Sequence, residues 1–64
     1  MLRSSRDIIR RLRQSGFELV SVRGSHHKFL HPERRLIVIV PPSEGRLAAR
    51  DGSVIYRQAG WERD

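Results

Sequence analysis

The chain has no cysteine, which removes disulfides and thiolate zinc sites, the usual staples of very small proteins. Its 64 residues must be held by apolar packing or by a partner chain, because a chain this short buries only about 60% of its unfolded surface. That length also excludes a second domain and predicts one domain over residues 1–64. Long apolar runs are missing as well. The longest, Leu36 to Val40, has five residues, against about 20 for a membrane-spanning helix, so no membrane partner is expected. Aromatic residues are few, and Phe17 and Trp61 read as core residues, not as a base-stacking platform. Acidic residues are scarce: seven Asp and Glu stand against 13 Lys and Arg, a net charge of +6. That surplus favours polyanionic partners, namely RNA, DNA or acidic proteins.

The Arg-rich start, MLRSSRDIIRRLRQ, resembles a transit peptide in composition. Removing it would take away Ile8, Ile9 and Leu12 from a core with little to spare, so a cytoplasmic protein is expected.

Ser4 followed by Asp7 fits a loose capping box, and Ile8, Ile9 and Leu12 recur at helical spacing, which predicts a helix over about residues 5–14. Gly16 is placed to accept its left-handed stop. Phe17 to Arg23 reads as a strand ending at the Gly24-Ser25 turn, His26 to Leu30 as a second strand, and His31 to Arg35 as a turn. Leu36 to Val40 is the clearest strand, and Pro41-Pro42 ends it. Asp51 reads as the cap of a closing helix that carries Val54, Ile55 and Ala59 and stops at Gly60. The order α-β-β-β-α, with both helices on one face of an antiparallel three-stranded sheet, is an α+β two-layer sandwich whose other sheet face stays open.

Strand alternation then sorts the histidines. With Phe29 in the core, His27 and His31 turn to the helix-covered face, whereas His26, Lys28 and Leu30 turn to solvent. Imidazole exchanges protons near neutral pH. Beside Arg23 and Lys28, His26 has the parts that RNA cleavage needs: a base for the 2′-hydroxyl, an acid for the departing 5′-oxygen and positive charge for the phosphorane. No metal or other cofactor is required. His27 and His31 would lie about 13 Å apart along a strand, too far to share a metal ion.

The segment Val22-Arg23-Gly24-Ser25-His26-His27-Lys28-Phe29 is followed by His31-Pro32, Val40-Pro41 and Gln58-Ala59-Gly60-Trp61. In this order and spacing it resembles the HicA family of mRNA interferase toxins over nearly the whole chain. The resemblance implies a fold like a double-stranded-RNA-binding domain and a ribosome-independent, metal-independent endoribonuclease acting on mRNA. It implies an essential histidine in the Gly-Ser-His-His segment, either His26 or His27; strand alternation favours His26. Arg23, Gly24, Ser25 and Lys28 are the candidate substrate-binding residues: Gly24 lets the backbone approach a phosphate, Ser25 offers a hydroxyl, and the two cations offer charge. The resemblance further implies a HicB-type antitoxin that covers the site, and an acidic surface on it would associate fast and in a salt-sensitive way.

Two departures from the family pattern stand out. Pro41-Pro42-Ser43 lacks the histidine that many relatives carry after this proline, so one imidazole must serve as both base and acid. Gly52 replaces an apolar residue in the closing helix, which predicts a late start or fraying there. Both departures leave room for a weakened toxin. The alternatives are a noncatalytic RNA-binding module of the same topology and a DNA-binding subunit that works only in a complex.

Overall fold

The computed structural model describes residues 1–63. Helix α1 spans Ser5–Gln14, strands β1 Glu18–Arg23, β2 His26–His31 and β3 Leu36–Val40, and helix α2 Ala49–Ala59. The sheet is antiparallel in the order β1-β2-β3, so the α-β-β-β-α sandwich, similar to a double-stranded-RNA-binding domain, is the fold expected from the sequence. Among the described residues no helix is long and apolar enough to cross a membrane.

Helix α1 starts where the Ser4 hydroxyl accepts from the Asp7 amide at 3.4 Å and ends in a Schellman motif. The Phe17 amide donates to the Leu12 carbonyl at 2.9 Å, the Gly16 amide to the Arg13 carbonyl at 3.2 Å, and Gly16 takes φ +97°. Leu12 and Phe17, the two residues this motif brings together, are both buried. With Ile8, Phe29, Val38, Val40, Leu47, Ile55 and Ala59 they form the core between sheet and helices. Arg11 lies over the Trp61 ring, 4.5 Å from its centroid, and donates to the Tyr56 hydroxyl at 3.3 Å, tying the C-terminal turn to α1.

Two strand boundaries differ from expectation. Strand β1 begins at Glu18 rather than Phe17 and carries a bulge between Leu19 and Ser21; β2 continues through His31. The extra residue of β2 pairs with Leu36, while the His31 ring closes the turn by accepting from the Arg34 amide at 3.1 Å.

Helix α2 departs further. It starts at Ala49, two residues before Asp51, and its N-cap Ala48 makes no side-chain cap bond. Asp51 lies inside the first turn, where its charge suits the helix dipole. Gly52 neither delays nor frays the helix: it is buried, its amide donates to the Ala48 carbonyl at 3.0 Å, and it packs against the N-terminal residues. A Cβ added there meets the Leu2 carbonyl at 3.7 Å and Met1 Cε at 3.9 Å, ordinary contact distances. Gly52→Ala is therefore expected to stabilise the protein by about 0.5–1 kcal/mol in a urea melt, and a destabilised variant would show that the glycine is needed for packing.

Candidate active site

Two clefts flank the β1–β2 hairpin turn, one on each face of the sheet, and the adjacent residues His26 and His27 divide between them. Alternation along β2 is the cause. Phe29 is fully buried, so His27, two residues earlier, turns to the helix side and is half-buried, while His26 and Lys28 turn to the open side and are exposed.

On the open face, the register sets Arg23 opposite His26 and Ser21 opposite Lys28. With Ile39 of β3 these residues line a cleft of about 260 Å³. Arg23, His26 and Lys28 thus come together as the sequence indicated. Among the described residues no hydrogen bond fixes the exposed His26 ring.

On the helix side, β2 pairs His27 with Val40, the last residue of β3. The chain then leaves the sheet through Pro41, Pro42 and Ser43, which wall one side of a cleft of about 170 Å³. Ser5 and Ile9 of α1 form the opposite wall, and Ser25 and His27 contribute from the hairpin. A short ladder holds the two walls in register. The Ser5 amide donates to the Gly45 carbonyl at 2.9 Å, the Leu47 amide to the Arg3 carbonyl at 2.8 Å, and Arg3 Nε to the Leu47 carbonyl at 3.0 Å.

The His27 ring is oriented by its own turn, because Nδ1 lies 3.1 Å from the Ser25 carbonyl oxygen. A carbonyl only accepts, so Nδ1 carries the proton and the neutral ring keeps its lone pair on Nε2. This is the tautomer a general base needs. Ser25 thus meets His27 through its backbone carbonyl, a contact the sequence did not indicate. Gly24 takes φ +58° at the first central position of the two-residue loop, as in a type II′ turn, and a Cβ there would meet nothing within 4 Å.

His31 belongs to neither cleft. Its Nδ1 is taken by the Arg34 amide and its ring meets Phe17 edge-on at 5.2 Å. Among the described residues no three His, Cys, Asp or Glu side chains gather closely enough to hold a metal ion.

Sequence reasoning did not single out Ser5, Ile9 or Ser43. The signal was present: the four-residue turn between His31 and Leu36 fixes a register that sets Val40, and the prolines after it, beside His27.

The family model for the HicA toxin of bacterial toxin-antitoxin systems matches residues 5–61. The chain belongs to the HicA toxin family. The matched span runs from the first residue of α1 past the end of α2 and takes in both clefts. No curated protein matches the chain. As a family member, the chain has a toxin's general role directed at RNA, within a class that pairs with HicB antitoxins.

Proposed function

We propose that this HicA-family chain is a cytoplasmic mRNA endoribonuclease that needs no metal ion and uses His27 as its general base. The observation that carries this is the His27 Nδ1 to Ser25 carbonyl bond, which orients the ring with Nδ1 as donor and leaves Nε2 as its other nitrogen, beside a cleft wide enough for part of a nucleotide. His27 takes the 2′-hydroxyl proton; the 2′-oxygen attacks phosphorus, and the bond to the 5′-oxygen breaks. The imidazolium formed in the first transfer supplies the proton that the 5′-oxygen takes up, so one ring serves both steps. The products are a 2′,3′-cyclic phosphate and a 5′-hydroxyl.

The sequence argument preferred His26 because it faces solvent. In the present reading His26 joins Arg23 and Lys28 as the RNA-gripping group of the open face, where two permanent cations attract phosphates. Gly24 and Ser25, at the turn between the clefts, let the RNA backbone pass from one face to the other. A HicB-type antitoxin with an acidic surface is the partner that blocks this passage.

Incubating the purified chain with single-stranded RNA in EDTA tests the reading. Fragments ending in cyclic phosphate support it, and RNA that stays intact overturns it. The role of the open face has its own test. Lys28→Ala removes one phosphate contact, so the slope of log affinity against log salt for single-stranded RNA is expected to flatten by about 0.7. An unchanged slope in a fluorescence-anisotropy titration removes Lys28 from the binding surface.

A further inference from the structure

We propose that the cleft beside His27 is a nucleobase pocket that takes the base of the nucleotide donating the attacking 2′-hydroxyl. The inference rests on the ribonuclease reading for which nucleotide is held, but the pocket's chemistry stands by itself.

The two clefts differ in their lining. The open-face cleft carries Arg23, His26 and Lys28, whereas the helix-side cleft is lined by no Lys, Arg, Asp or Glu. No permanent cation stands there to neutralise a phosphate, so the helix-side cleft suits an uncharged group. Its walls are of two kinds. Ile9, Pro41 and Pro42 give apolar surface that a flat ring covers, while the other lining residues include Ser5, Ser25 and Ser43, whose side chains are each both donor and acceptor. Flat faces with a hydrogen-bonding edge describe a nucleobase. At about 170 Å³ the cleft is smaller than the roughly 300–1,000 Å³ of drug-sized sites and suits one heteroaromatic group.

A base inside a duplex is stacked and paired, so only unpaired RNA can place one here. The pocket therefore selects single-stranded substrate and, through the three hydroxyls, discriminates among bases. A base seated against His27 puts its own ribose at the cleft mouth, next to the imidazole. The downstream phosphate then lies toward the Gly24-Ser25 turn and the cations beyond it.

Nucleosides test the pocket without a phosphate and without cleavage. Isotope-labelled protein is titrated with adenosine, guanosine, cytidine and uridine while amide and imidazole resonances are followed by NMR. Shifts at Ile9, His27 and Ser43 with at least one nucleoside, and none at Arg23 or Lys28, are the expected result. Shifts confined to the open face, or none with any of the four, overturn the proposal. Ser43→Phe, on an exposed loop, fills the cleft from its rim and is expected to abolish the shifts. Ser43→Ala should keep the fold and alter which bases precede the cuts in a defined RNA, raising KM more than it lowers kcat; an unchanged cleavage pattern and KM count against a role for Ser43. The two readings fail separately. Nucleoside shifts with RNA left intact retain the pocket and remove the nuclease. Cleavage in EDTA without nucleoside shifts at the cleft does the reverse.

Discussion

Replacing His27 with alanine is expected to slow RNA cleavage in EDTA by about 10²–10⁴-fold, the usual contribution of a positioned general acid–base. The loss should fall on kcat, with RNA affinity little changed, because the proposed phosphate grip is assigned to the cations of the other face, Arg23 and Lys28. His26→Ala is the internal comparison. Its ring is exposed and unfixed on the phosphate-facing side, so its loss should raise KM and leave kcat near the wild-type value. Single-turnover rates on one labelled oligonucleotide separate the two outcomes. Should His26→Ala abolish turnover and His27→Ala leave it intact, the base belongs to the open face, and the Ser25 carbonyl bond is only a turn-stabilising contact. Orientation distinguishes the pair on physical grounds: a ring held by a hydrogen bond needs less reorganisation before it accepts a proton than a ring with none.

Gly16→Ala is expected to cost about 2–4 kcal/mol and lower the melting temperature by roughly 10–25 °C in a domain of this size. Two independent effects combine. The backbone at Gly16 has φ +97°, which an L side chain occupies only with strain. The added Cβ also falls 2.9 Å from His31 Nε2. The ring is not free to move aside: it meets Phe17 edge-on and accepts from the Arg34 amide at the β2–β3 turn. Displacing it loosens the end of α1 and the hairpin together. A domain of this size has about 3–10 kcal/mol in total, so the variant approaches the unfolding threshold. Measuring Gly16→Ala again in a His31→Ala background divides the cost, because the steric part disappears and the backbone part stays. An equal cost in both backgrounds would mean that the His31 contact contributes nothing.

Much of the fold was legible because local chemistry agreed with it. The Ser4 cap, the Gly16 stop and the apolar spacing of Ile8 and Leu12 give α1 its observed bounds; the Leu36 to Val40 run and the prolines after it do the same for β3. The start of α2 was not legible. Ala48 supplies no cap, and the helix is held by burial of Gly52, Ile55, Tyr56 and Ala59, which overrides the signal that Asp51 gives in isolation.

For the site, sequence alone determined the histidine doublet, the cations beside it and the face that each side chain of β2 takes, because alternation in a strand follows directly from the position of one core residue, Phe29. Tertiary structure decided what each face offers. The cleft beside His27 exists because Ser5 and Ile9 of α1 meet Pro41 to Ser43 after β3, segments more than 30 residues apart that are joined by backbone bonds across Arg3, Ser5, Gly45 and Leu47. A local pattern carries no information about such a meeting, which depends on how the helices settle onto the sheet. Solvent exposure, all that alternation reveals, selects His26; the cleft between α1 and the segment after β3 that supports His27 arises only when the chain closes on itself.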